Sequence, residues 1–404
     1  MKSPLVDRRG ENFGRVEDVI VRLGSDGYPP VTGLQGRIGD RRVFIPISQV
    51  TELRAGSVRV AADSLNLLRF ERREGEVLLR TDILRHRLIN VEAGRIIRAD
   101  DIELGVVEGT WRVLGVDIET RSIFQRALHR SSSSSKVTLD WSRIEPFVGH
   151  VPSSKLRLPL RRLERLHPAQ IADLVEAASH EEGEEIITAV HGDRELEADV
   201  FEELDVEHQV EFLEDRSDVE AAAILDSMDP DDAADLIADL PQDRRTSILG
   251  RLSPEQLAKV RSLLAYNPDT AGGLMNPEFV ALPSDSPIEE AIKAVGDHHP
   301  ALTTVYVIDS EGRLQGSLPP ARLLQASVHG SMSTKLAEQV EPVPARAEAA
   351  DDFTDVALMM ADYNLTSLPV VDGDDRLIGV ISVDDVLETM IPEDWRRRAE
   401  NSGD

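Results

Sequence analysis

Ser367-Leu368-Pro369-Val370-Val371-Asp372 and Arg376-Leu377-Ile378-Gly379-Val380-Ile381-Ser382 decide the fold of the C-terminal half. Both are short apolar runs rich in β-branched residues. Gly373-Asp374-Asp375 separates them, so the segment reads as strand, turn, strand. The string recurs upstream as Thr304-Val305-Tyr306-Val307-Ile308-Asp309, then Gly312-Arg313-Leu314-Gln315-Gly316. Helical patterns precede the copies, from Pro287 to Val295 and from Phe353 to Tyr363. Asp309 and Asp372 lie 63 residues apart. A fixed offset with the same order of elements predicts two copies of one α/β unit.

Further upstream the period changes from two to about 3.6. Leu166-His167-Pro168-Ala169-Gln170-Ile171-Ala172-Asp173-Leu174-Val175 has apolar residues three and four apart, and further short helices are expected to start near Glu195, Val206, Asp218, Asp229, Pro241 and Ser253. Asp229-Pro230-Asp231-Asp232-Ala233-Ala234-Asp235-Leu236 reads as a helix start, with Asp229 as N-cap, Pro230 at the first position and Asp232 closing the cap. Asp231 and Asp235 then share a face. Like charges at this spacing cost a helix a few tenths of a kcal/mol, and a hard divalent cation would offset that cost.

Residues 1–150 read mostly as β. Val16 to Leu23 and Val43-Phe44-Ile45-Pro46-Ile47 are strand-like, with glycines at 10, 14, 24, 27, 33, 36 and 39 as punctuation. Leu5-Val6-Asp7 then Gly14-Arg15-Val16 is followed, in the same order, by Leu88-Ile89-Asn90-Val91, Gly94-Arg95-Ile96-Ile97 and Trp111 to Asp117. This suggests a duplicated small β-barrel. The five-serine run 131–135 and Val151-Pro152-Ser153-Ser154 read as a loop and a linker.

Charge divides the chain. Residues 1–165 carry a net +7 and the remainder −36, within a total of −29 over 404 residues. An acidic half attracts cations and disfavours nucleic acid and anionic membranes. There is no cysteine, which excludes disulfides, thiolate zinc sites and thiol catalysis and fits a reducing cytoplasm. No secretory signal and no apolar run of spanning length is read. No Ser/His/Asp arrangement, phosphate loop or zinc pattern is present, so an enzyme is not expected. His298-His299 lacks ligand spacing and reads as loop.

Residues 274–390 resemble a tandem pair of CBS domains, on Thr366 to Asp372 and Gly379-Val380-Ile381-Ser382-Val383-Asp384-Asp385. Residues 163–275 resemble the cytosolic N-terminal domain of the MgtE magnesium transporter family, on Leu166 to Leu174, Asp229 to Leu236 and Ala271-Gly272-Gly273-Leu274-Met275. The first half resembles two PRC-barrel units, on Val6-Asp7, Gly14 to Val19, Phe44 to Ile47, Gly94-Arg95-Ile96 and Gly115-Val116-Asp117. The expected fold class is therefore multidomain: a PRC-like β-barrel N-terminal half, an all-α superhelical middle domain and an α/β tandem CBS pair. The expected boundaries are 1–80 and 81–150 for the two PRC-like units, 151–162 for the linker and 163–272 for the helical domain. CBS copies follow at 273–333 and 334–392, then a tail at 393–404. The resemblance implies a membrane domain after the CBS pair. The sequence given stops at Asp404, so the expectation is a soluble cytoplasmic relative that keeps the magnesium-sensing part.

The resemblance places Mg²⁺ between the helical domain and the CBS pair. The matching positions are Asp199, Asp231 and Asp235 on one side, and Asp352, Asp385 and Glu388 on the other. Asn364 stands where a family carboxylate is expected. For each carboxylate alone, capping or solvation near a helix start is an equal reading. CBS pairs also bind adenine nucleotides, which implies Gly379, Ser382 and Asp385 here, although Ser382-x-x-Asp385 is also a capping box. In the first copy Pro319 and Arg322 replace the hydroxyl and the carboxylate. The resemblance further implies a homodimer through the CBS domains and an unidentified protein partner, such as a membrane transporter. The resulting expectation is a Mg²⁺-dependent conformational switch. The alternatives are an adenine-nucleotide-sensing module, or a PRC-barrel adaptor with structural CBS domains whose basic half contacts RNA.

Overall fold

A computed structural model describes residues 3–24, 27–54, 56–61, 70–73, 75–118, 137–147, 162–297 and 304–391. The five-serine run, His298-His299 and the expected tail 393–404 lie outside them, as does the expected linker except Arg162. The chain forms two compact units, one ending at His208 and one beginning at Gln209.

The first unit opens with strands β1 (Pro4–Val6), β2 (Asn12–Arg22), β3 (Val31–Ile38), β4 (Arg41–Pro46), β5 (Val50–Arg54), β6 (Ser57–Val60) and β7 (Glu76–Leu78). They join in the order β4-β3-β2-β1-β6-β5, with β7 on β2. A second set follows: β8 (Arg87–Asn90), β9 (Arg95–Arg98), β10 (Asp101–Val107), β11 (Thr110–Ile118), β12 (Val137–Asp140) and β13 (Ile144–Pro146). These form the ladders β10-β11-β12 and β13-β8-β9. The repetition is structural: β4, a helical turn Ile47–Gln49 and β5 are matched by β12, a turn Trp141–Arg143 and β13.

The two rounds nevertheless bury one core. Leu5, Val19, Leu34 and Ile45 belong to the same apolar cluster as Leu88, Val113, Trp141 and Ile144. Arg112 ties them by donating from Nη1 to Tyr28 O at 2.7 Å. Buried Asp18 accepts from Val19 N, Arg80 N, Thr81 N and Thr81 Oγ1 at 2.7–3.0 Å, which fastens β2 to the turn at Leu79–Ile83. Four donors satisfy a carboxylate that would otherwise be costly to bury. Burial pushes the Glu145 carboxyl on β13 up to about 7, against the opposing charge of Arg162.

Eight helices then follow: α1 (Pro168–Glu176), α2 (His180–Val190), α3 (Arg194–Glu202), α4 (Val206–Glu214), α5 (Asp218–Leu225), α6 (Pro230–Asp239), α7 (Gln242–Leu249) and α8 (Pro254–Leu263). Their starts are set locally. Ser179 with Glu182 and Ser217 with Glu220 form capping boxes before α2 and α5, and Pro occupies the first position of α1, α6 and α8. In the first unit, Arg87 on β8 donates to Glu182 Oε2 on α2 at 2.8 Å.

The second unit adds a four-residue turn of helix α9 (Ala271–Leu274) and two α/β copies. The first copy has β14 (Val280–Pro283), α10 (Ile288–Asp297), β15 (Val305–Ile308), β16 (Leu314–Leu318) and α11 (Pro320–Val328). The second has β17 (Ala347–Glu348), α12 (Phe353–Tyr363), β18 (Ser367–Val371), β19 (Leu377–Ser382) and α13 (Val383–Met390). Each sheet pairs its first two strands in parallel and its last two antiparallel. The 63-residue offset becomes a local two-fold contact: Leu314 N donates to Asp375 O at 3.0 Å, and Leu377 N donates to Gly312 O at 3.1 Å. Arg313 Nε and Arg376 Nε repeat the exchange, to Asp374 O at 3.2 Å and Glu311 O at 3.1 Å. Among the described residues, no helix is long and apolar enough to cross a membrane.

Candidate functional site

Helix α6 begins with Asp229 as its N-cap residue, and Ala233 N donates to Asp229 O at 2.9 Å. The Asp229 carboxylate gathers with those of Asp231 and Asp232, with one oxygen from each within 4.8 Å of the others. Oδ1 of Asp231 is buried and accepts no hydrogen bond. The Asp231 carboxyl is driven well above the usual carboxylate range, first by burial and then by the charges of Asp385 and Asp229.

Asp385 comes from the first turn of α13. Ser382 N donates to Asp385 Oδ2 at 3.1 Å, and Asp385 N donates to Ser382 Oγ at 3.3 Å, so the expected capping box forms. Burial raises the Asp385 carboxyl, the Ser382 bonds oppose that, and Asp384 and Glu388 raise it further. Asp231 and Asp385 repel one another, and both carboxyls are raised, chiefly by burial. Asp235, one turn along α6, is pushed up to about 6 by loss of water around its carboxyl and by Asp239. Asp235 is nonetheless exposed, and water screens its charge.

The structure therefore brings Asp231, Asp235, Asp385 and Glu388 into one neighbourhood of the second unit. Asp352 caps α12 at the junction, where its backbone pairs with Thr270, and it is not among the main charges acting on Asp231 or Asp385. Asp199 lies on α3 in the first unit. Asn364 ends α12 in the left-handed conformation at φ 52°, which asparagine tolerates. Asp229 and Asp232 complete the group, although a reading of the helix start assigns both to capping. Their spacing of three residues was the available signal.

A hard divalent cation fits this donor set. Every ligand atom offered is a carboxylate oxygen, and the buried, unbonded Oδ1 of Asp231 is the kind of atom a cation satisfies.

A cavity of about 240 Å³ adjoins the group. Asp229, Ser382, Asp384 and Asp385 line it, together with Glu278, Thr304, Tyr306 and Ser367. Of the expected nucleotide residues, Ser382 and Asp385 reach it. Gly379 packs on Met275, whose Sδ would lie 2.6 Å from an added Cβ. At the equivalent place in the first copy, Arg322 pairs with Glu341.

Residues 166–269 match the MgtE intracellular N domain, and residues 271–329 and 340–391 match the CBS domain. The magnesium transporter MgtE of Thermus thermophilus is 32% identical over 237 residues, which cover 57% of this chain and 51% of the transporter. The chain thus spans about half the length of that curated relative. A crystal structure of the cytosolic domain of the Mg²⁺ channel MgtE in complex with ATP matches with a TM-score of 0.51 and 32% identity, over 57% of this chain and 94% of that one. The soluble part of a magnesium transporter matches with a TM-score of 0.52 and 26% identity, over 57% and 90%. The chain belongs to the family of MgtE cytosolic regions, an MgtE N domain followed by tandem CBS domains.

Proposed function

We propose that this chain is a non-enzymatic, cytoplasmic regulatory protein of magnesium homeostasis, in which Mg²⁺ holds the helical domain against the second CBS copy. Asp229, Asp231, Asp232 and Asp385 would hold the ion, with Asp235 and Glu388 adding negative field. The observation that carries this reading is the buried, unbonded Oδ1 of Asp231 among carboxylates from two domains. Asp199 and Asp352 are proposed from the family resemblance alone. A bound cation neutralises the repulsion between the starts of α6 and α13 and favours the joined state, while its loss favours separation. Such a switch requires only that the ion bind one state more tightly than the other. Calorimetric titration of magnesium into the metal-free chain is expected to show binding in the millimolar range, about −4 kcal/mol. No heat and no change in melting temperature would sink the proposal.

The output passes to a partner. The PRC-like half is proposed as its adaptor, with the domain boundaries stated above. A second copy of the chain is proposed to cover the CBS pair. Leu324 and Val328 are 67% and 75% exposed, and Leu387 and Ile391, each 63 residues on, are 51% and 40% exposed. Large apolar residues exposed at equivalent repeat positions suit an isologous dimer. Sedimentation equilibrium is expected to give a dimer for the wild-type chain and a monomer for Leu387→Glu. A wild-type monomer would remove this part. The second reading, adenine-nucleotide sensing, rests on Ser382 and Asp385 lining the cavity and on the ATP complex of the relative.

A further inference from the structure

The charge of the cavity is its least expected property. Asp229, Glu278, Asp384 and Asp385 line it, and among the described residues no Lys or Arg does. Glu278 is paired with Lys259, whose Nζ lies 2.7 Å from Oε1. Helix α13 points its N-terminus at this region, and a bare helix N-terminus favours phosphate. Here the first turn already contains Asp384 and Asp385, and the amide of Asp385 is engaged by the hydroxyl of Ser382. The field that would receive an anion is thus reversed within the site.

The remaining lining suits a flat organic body. Phe279, Tyr306, Val280 and Val383 supply apolar and aromatic surface, and Thr304 and Ser367 supply hydroxyls. The Tyr306 hydroxyl lies 3.0 Å from Ser367 Oγ, and Ser367 Oγ donates to Thr304 Oγ1 at 3.2 Å, so this wall is tied together by hydrogen bonds. Aromatic faces and carboxylates together favour positive charge.

We infer that this cavity selects a small, phosphate-free organic cation with a flat apolar body, and that this ligand and a divalent cation exclude one another through Asp229 and Asp385. The exclusion rests on the cation function proposed above, whereas the charge preference does not. Exclusion is reciprocal by thermodynamic linkage, so each ligand weakens the other by the same factor.

Three probes that differ only in their 5′ substituent isolate the charge: 5′-amino-5′-deoxyadenosine as cation, adenosine as neutral parent and AMP as anion. Each is titrated calorimetrically into the metal-free full chain. The cation is expected to bind about tenfold more tightly than adenosine, and AMP about tenfold more weakly, with both gaps narrowing as salt rises. Asp384→Asn, at the exposed rim, is expected to shrink the preference for the cation over adenosine several-fold. Magnesium is expected to weaken the amino probe. AMP binding as well as adenosine, or no binding by any probe, overturns the selectivity. An amino-probe affinity that is indifferent to magnesium overturns the exclusion. If magnesium alone gives no heat while the charge order holds, the cation function fails and the selectivity stands.

Discussion

Gly273→Ala is expected to lower the melting temperature of the second unit by several degrees, a loss of about 2–3 kcal/mol. A Cβ at this position would lie 2.7 Å from Pro268 Cα and closer still to Asn267 O, and neither backbone atom can rotate away. Its neighbour Gly272 is equally confined, 2.5 Å from the Tyr266 ring and 2.9 Å from Ala349 O. Relief requires α9 to move. Ala271 N donates to Asp351 O at 2.8 Å and Gly272 N donates to Ala349 O at 2.9 Å, so movement breaks the bonds that join the helical domain to the second CBS copy. The Ala-Gly-Gly-Leu-Met string is therefore a packing requirement at a crossing of chains. Gly296 is the control. It lies in α10, where an added Cβ would meet nothing within 4 Å, and Gly296→Ala should leave stability unchanged or raise it slightly. Equal melting of wild type and Gly273→Ala in a thermal scan would show that the junction tolerates a side chain and that the two glycines serve another purpose.

The CBS copies were legible because their repeat is chemical as well as periodic. Asp309 and Asp372 each accept amide bonds within their own turn, and Arg313 and Arg376 each reach across to the other turn. Most helix starts were legible from Ser, Asp and Pro. Helix α2 was not: Gly183 and a run of acidic residues hide Ile186, Ile187 and Val190, which are buried at helical spacing. In the first half the strands could be read but the shared core could not, because each round looks self-sufficient until Leu5 and Ile144 are found in one cluster. The candidate site was half legible. Asp231 and Asp235 declare themselves by their spacing, and Asp385 enters through the family resemblance. Asp229 reads as a cap because local rules price a helix start without its tertiary surroundings. Glu278 and Tyr306 reach the cavity from a loop and a strand 107 and 79 residues before Asp385, a convergence that only the fold creates.

Asp231→Asn is expected to raise the stability of the metal-free chain by about 1–3 kcal/mol and to remove much of its response to magnesium. The wild-type carboxyl is held well above its ordinary range by burial and by Asp385 and Asp229, so its ionised form opposes folding. Asparagine keeps the shape, removes the charge, and offers a donor to the surrounding carboxylates. The pH dependence follows from the direction of the shifts. Asp231, Asp235 and Asp385 all have raised values in the folded chain, with Asp235 at about 6. A carboxyl whose folded value lies above its unfolded value contributes stability that is fully present below the unfolded value, and loses it as pH rises through the folded one. The metal-free wild type should therefore weaken from about pH 4 upward through the value of Asp235 at about 6, with Asp231 and Asp385 adding to the loss in the same direction. Magnesium can compensate only once the carboxylates are ionised, so its stabilising effect should grow as pH rises from about 4 through about 6, the value of Asp235, and above it. In Asp231→Asn both trends should flatten. Thermal melts of the two proteins across that range, with and without magnesium, decide the matter. A variant that is less stable without metal, yet gains as much from magnesium as the wild type, would place the ion somewhere other than the start of α6.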